Sequence, residues 1–213
     1  MSEPYIYAQL LREGSSDDGL QSILEAILLS VGCDLNSRVE IAPYPSGDKT
    51  VLGGLNNLLK QVQPHVVFVH RDADNAGADD RLKEIQDAAT QASTDAKDDA
   101  ITDVPVIPVI PIKETEAWIL WALHDPKFRS TIPGMDSPTL VPYKNIEQCS
   151  AKERLHEIHS EWAEQRGGKR NRRDRFERDR STWLENITNV DYLKGCPSFE
   201  ELYRRCEDLI RTL

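Results

Sequence analysis

Residues 65–77 read HVVFVHRDADNAG, and this stretch decides the fold. Val66, Val67, Phe68 and Val69 form a β-branched and aromatic run too short for an independent helix, which predicts a strand from His65 to His70. The run is apolar without alternation, the pattern of a strand covered on both faces, and in a soluble protein that implies a parallel sheet flanked by helices. Ligands of such sheets sit beyond the carboxyl ends of the strands. Asp72, Asp74 and Gly77 follow the strand at once and fall where a functional site belongs.

Upstream, Tyr5 to Leu11 alternates as a strand and delivers Glu13-Gly14 at its carboxyl end; Ser15 or Ser16 is placed to cap a helix. Leu20, Ile23, Leu24, Ile27, Leu28 and Val31 then recur at helical spacing. Arg38 to Ala42 reads as a short strand, and Val51, Leu52, Leu55, Leu58, Leu59 and Val62 mark a second amphipathic helix. Downstream of Gly77 a polar helix runs to about Ala92, anchored by Leu82 and Ile85. Val104 to Ile112 is β-rich but carries Pro105, Pro108 and Pro111, which suits an edge strand or an irregular segment, not a central strand. After Lys113-Glu114-Thr115-Glu116, the stretch Ala117 to Leu123 is apolar on nearly all sides and predicts a buried helix.

The alternation of strand and helix predicts an α/β fold with a mostly parallel, Rossmann-like sheet flanked by helices. That core is expected over residues 1–124, and residues 125–213 form an irregular linker and a helical appendage. Ser150-Ala151-Lys152-Glu153 and Ser198-Phe199-Glu200-Glu201 have the capping-box pattern ahead of helical spacing in that appendage.

The bulk properties bound the classes. With 213 residues and 39% hydrophobic content the chain can build a sizeable core. No apolar stretch approaches the roughly 18 residues of a membrane span, and the expected setting is cytoplasmic. Cys33, Cys149, Cys196 and Cys206 show no CxxC pairing, so buried free thiols are expected. The net charge of −10 is uneven: residues 1–150 hold 12 Lys/Arg against 23 Asp/Glu, whereas residues 151–213 hold 14 against 13. The basic segment 166–180, with Lys169, Arg170, Arg172, Arg173 and Arg175, could contact phosphates or be a solvated, salt-bridged helix face.

Acidic residues stand after three separate strands: Glu13, then Asp72 with Asp74, then Glu114 with Glu116. Parallel strands bring these ends to one edge, where clustered carboxylates repel unless cations occupy them. Hard oxygen donors favour Mg²⁺ or Mn²⁺, one ion or two, and a pair roughly 4 Å apart can stabilise both oxygens of a phosphodiester displacement. For Glu114 and Glu116, charge at a helix N-terminus is the equal alternative.

Glu13-Gly14 after the first strand, followed by Asp72-x-Asp74-x-x-Gly77 after a later one, resembles the signature of the TOPRIM domain, the catalytic domain of topoisomerases, primases and OLD-family nucleases. The resemblance covers about residues 5–124 and implies a metal-binding role for Glu13, Asp72 and Asp74, with Glu13 also a general acid or base. Glu114-Thr115-Glu116-Ala117-Trp118 and the PSFEEL stretch from Pro197 are similar to small TOPRIM-related proteins, some encoded beside ATPases in bacterial defence loci. By the same resemblance Lys113, Glu114 and Glu116 are candidates for a second metal and the transition state. The chain has little room for a topoisomerase tyrosine domain or for primase template-binding regions. The implied activity is a Mg²⁺-dependent nuclease on DNA or RNA, an effector of anti-phage or mobile-element defence. The alternative is a non-catalytic metal- or nucleotide-binding subunit of an ATPase assembly. A homo-oligomer is compatible with either.

Other chemistries fit less well. An EF-hand loop would need a glutamate where Lys83 stands, and a haloacid-dehalogenase motif needs Thr or Val where Ala76 stands. Asp17 and Asp18 lie too far into the turn for a response-regulator acidic pair. Ser46-Gly47-Asp48-Lys49-Thr50 only approximates the end of a P-loop, although Lys49 at a predicted helix start is a phosphate-contact candidate. His156 and His159 at helical spacing, and the four tryptophans, read as structural.

Overall fold

A computed structural model describes residues 3–43, 50–74, 76–95, 104–166 and 172–212, apart from the side chains of residues 172–174. Four strands, β1 (Tyr7–Leu11), β2 (Arg38–Ile41), β3 (Val66–His70) and β4 (Val106–Val109), form an all-parallel sheet in the order β2-β1-β3-β4. Between them run α1 (Leu20–Ser30), α2 (Val51–Leu59) and α3 (Ala78–Asp95). After the sheet come α4 (Glu116–Ala122), the short α5 (Pro126–Ser130) and α6 (Tyr143–Ile146), then α7 (Ala151–Gln165), α8 (Arg172–Glu185) and α9 (Pro197–Thr212).

The absence of alternation in β3 has a direct cause. Val66 and Phe68 point into a core shared with α1, α4 and the later helices, whereas Val67 and Val69 point into a second core made by α2 and α3. Every residue of β3 is buried, as a strand roofed on both faces requires. The first of these cores is continuous from Ile6 to Cys206, so the helices after the sheet pack on the same apolar face as α1. Within it α4 is buried on all sides, and Trp118 Nε1 donates to Ser198 Oγ of α9 at 2.8 Å.

The proline-rich run forms the edge strand β4. Its odd-numbered residues turn carbonyls toward β3: Val67 N donates to Pro105 O at 2.9 Å and Arg71 N to Val109 O at 3.1 Å. Pro108 falls on the outward side, where no N–H is demanded. Its carbonyl accepts from Arg205 of α9 at 3.2 Å, which closes part of the open edge.

Two local expectations differ in the structure. No serine caps α1: Ser15–Asp17 form a 3-10 turn, and the helix begins after Gly19, where the close approach of α8 governs the chain. Ser150 makes no side-chain cap on α7, and Ser198 lies inside α9 with its hydroxyl taken by Trp118. Among the described residues no helix is long and apolar enough to cross a membrane. All four cysteines are free, and burial pushes the Cys33 thiol up to about 11 and those of Cys196 and Cys206 up to about 12.

Candidate functional site

Neighbouring parallel strands β1 and β3 release the chain at the same edge of the sheet, and there Glu13 meets Asp72. The Asp72 amide donates to Glu13 Oε2 at 3.1 Å, and Arg71 holds Glu13 Oε1 at 2.7 Å. This pair is partly buried, with Arg71 22% and Glu13 29% exposed at the side chain. Arg71 also reaches Glu84 at 3.3 Å, and Arg81 donates to the Asp72 carbonyl at 3.0 Å. Two guanidinium groups thus flank the carboxylates on the α3 side.

Two residues further on, Asp74 adopts φ 42°, and its amide donates to the carbonyl of Lys113, itself at φ 71°. These are the non-glycine residues with positive φ among those described, and each sparsely populated conformation costs on the order of 1–3 kcal/mol. The surrounding fold supports both at the point where the β3 and β4 loops touch. Gly77, at φ 90°, completes the turn and leads into α3, a conformation that a side chain there would strain.

Behind this rim lies a buried polar network. His70, the last residue of β3 and 1% exposed, presents Nε2 to Asp72 Oδ1 at 3.2 Å and Nδ1 to Asp17 Oδ2 at 3.9 Å. Burial pulls its pKa down, but the hydrogen bond and charge of Asp72, joined by the charges of Asp17 and Glu13, outweigh burial and leave it raised. Asp17 Oδ1 accepts from the Thr115 hydroxyl at 3.2 Å and lies 3.6 Å from Arg180. Arg180 of α8, only 3% exposed, donates to Thr115 Oγ1 at 3.1 Å and pairs with Glu116 Oε1 at 2.9 Å and with Glu177 at 3.4 Å. Burial raises the pKa of Glu116, with Arg180 acting in the opposite direction.

The sequence-predicted residues therefore separate into groups. Glu13 and Asp72 are brought together, with Asp74 and Lys113 joined through the backbone beside them. Glu114 instead accepts the Lys152 amide at 3.1 Å, in the first turn of α7, and Glu116 is engaged by Arg180. Lys49, Lys169 and Arg170 lie outside the described residues, as do the side chains of Arg172 and Arg173. In the rest of the basic segment Arg175 is exposed, Arg166 sits over the Trp162 ring and donates to the Pro133 carbonyl at 2.6 Å, and Arg180 is buried.

Sequence reasoning missed Asp17 and His70, and it read Arg180 only as part of the basic segment, whereas the structure buries it against Asp17 and Glu116. Arg180 had a legible signal: Phe176, Arg180, Trp183 and Leu184 recur at helical spacing and are all buried, so the arginine rides on the apolar stripe of α8. His159 and its neighbours are structural, with His159 bonded to Asp179 at 2.9 Å among Phe176, Trp162 and Trp183.

Among the described residues no three His, Cys, Asp or Glu side chains gather as a metal-ligand set. That falls short of an all-protein cage such as Ca²⁺ prefers. Mg²⁺, which keeps several waters, is commonly held by one or two carboxylates plus substrate phosphate, and the adjacent Glu13 and Asp72 fit that lesser demand. Comparison with known families, with curated proteins and with solved structures finds no match.

Proposed function

We propose that this chain is a Mg²⁺- or Mn²⁺-dependent, TOPRIM-type phosphodiesterase acting on nucleic acid. The observation that carries the reading is the meeting of Glu13 and Asp72 at the carboxyl edge of adjacent parallel strands, 3.1 Å apart from carboxylate to amide. Glu13, Asp72 and Asp74 are the residues that would hold the ion. Bound there, the ion supplies a Lewis acid and an activated water at neutral pH. His70 keeps the Asp72 carboxylate oriented from behind, and the Lys113 carbonyl fixes the backbone of Asp74. Arg71 and Arg81 flank the edge at which a polyanion would settle, and the Lys113 side chain is exposed. A cytoplasmic setting suits four unpaired cysteines, and a partner such as an ATPase would supply control.

The test is cleavage of plasmid and of RNA with Mg²⁺ or Mn²⁺, comparing the wild type with Asp72→Ala/Asp74→Ala. Cleavage by the wild type alone is expected; equal cleavage by both sinks the assignment. A second reading has one observation in its favour, the Arg71 guanidinium resting on Glu13 at 2.7 Å. In that reading the edge binds a nucleotide or metal for regulation within an ATPase assembly. Wild-type inactivity on every nucleic acid, together with tight association with the partner, would favour it.

A further inference from the structure

We propose that Arg180 takes the place of a second cation, so that the carboxylate edge accepts a single divalent ion at Glu13 and Asp72. The inference rests on the metal-dependent reading above and specifies its stoichiometry. Carboxylates at the ends of strands can be neutralised by metal ions or by protein cations. The two halves of this edge differ in which they use.

At the inner half, Asp17 and Glu116 are 5% and 2% exposed, and burying carboxyl groups is costly unless they are paired and hydrogen-bonded. The guanidinium of Arg180 supplies a partner. It reaches Glu116 at 2.9 Å, Thr115 at 3.1 Å and Asp17 at 3.6 Å, while its Nε faces Glu177 at 3.4 Å. Lys152 adds a second positive charge 4.0 Å from Glu116. A divalent ion at these oxygens would lie against a fixed guanidinium and an ammonium, and like charges at that range disfavour it. Arg180 cannot readily withdraw, because Phe176, Trp183 and Leu184 of the same helix are buried in the core.

At the outer half, Arg71 touches Glu13 at 2.7 Å and His70 touches Asp72 at 3.2 Å, but these carboxylates keep a solvent-facing side, 29% and 19% exposed. Solvent therefore reaches Glu13 and Asp72, where an arriving ion would exchange with the Arg71 contact, whereas Glu116 and Asp17 are sealed from it. Glu114 is directed to the Lys152 amide and does not add to the inner set.

The experiment is a Mn²⁺ titration of the full chain, with bound and free ion counted by electron paramagnetic resonance. One ion per chain is expected. Two ions per wild-type chain would overturn the inference and leave the proposed activity standing. No bound ion would overturn the metal-dependent reading itself, and this inference with it. Arg180→Met, checked for folding by circular dichroism, is expected to gain a second class of Mn²⁺ sites, because Asp17 and Glu116 lose the guanidinium fixed between them. A folded Arg180→Met chain that still binds one ion would show that Arg180 is not what excludes the second. Should that variant not fold, the wild-type count decides alone.

Discussion

Replacing Arg180 with methionine removes the charge at the centre of the buried network while keeping an unbranched stem. Two buried carboxylates then lose their guanidinium: Glu116, 2% exposed, is left with Lys152 at 4.0 Å, and Asp17, 5% exposed, with His70 at 3.9 Å and the Thr115 hydroxyl. Removing one partner of a buried ion pair costs about 3–5 kcal/mol, whereas an exposed pair contributes about 0–1 kcal/mol. The burial of all three groups places this network in the first regime. For a domain of 150–250 residues each kcal/mol moves Tm by about 2–4 °C, so a fall of roughly 6–20 °C is expected. Thermal denaturation of the metal-free variant followed by circular dichroism measures it. The loss should shrink as pH falls, because burial already raises the Glu116 pKa and protonation removes the stranded charge. Adding Glu116→Gln to Arg180→Met should recover part of the loss at neutral pH. A fall in Tm corresponding to less than about 1 kcal/mol, or no recovery in the double variant, would refute the claim that the pair is buried and mutually dependent.

Two further outcomes follow from other contacts. Gly19 sits at φ −63°, where alanine is conformationally free to stand and would by itself add about 0.4–1 kcal/mol, yet its Cβ would lie 2.8 Å from Glu185 N and 3.0 Å from Ser181 O. Backbone atoms cannot yield cheaply, so an overpacking cost of about 1–3 kcal/mol wins, and Gly19→Ala should lower the urea midpoint; a raised midpoint would show that α8 does not press on this turn. His70 has a folded-state pKa above its ordinary 6.5, so the stability it contributes is complete below that value and is lost as pH rises through the raised one. The metal-free chain should therefore lose Tm above about pH 6.5, and His70→Gln should flatten that limb; parallel wild-type and variant profiles would contradict it.

How much of the site was legible follows from how far apart its partners lie along the chain. Glu13 and Asp72 could be paired on paper because strand-end chemistry is local: each follows a recognisable strand, and parallel strands deliver their ends to one edge. The prolines of β4 were equally readable, since a missing N–H limits a strand to positions where no donor is needed. What could not be read was the cation each carboxylate would find. Arg180 meets Thr115 across 65 positions of sequence, and Thr115 meets Asp17 across 98. No short pattern encodes such a meeting.

The sequence by itself determined β1, β2 and β3, the buried character of β3 and α4, and the placing of Glu13, Asp72 and Asp74 after strand ends, because propensity, periodicity and parallel pairing act over a few residues at a time. Only the tertiary structure decided that Glu116 faces a guanidinium, that Glu114 turns to the start of α7, and that His70 backs Asp72. Those outcomes depend on where α7 and α8 dock on the sheet. Docking is set by the summed burial of many apolar side chains, not by the charged residues carried along with them.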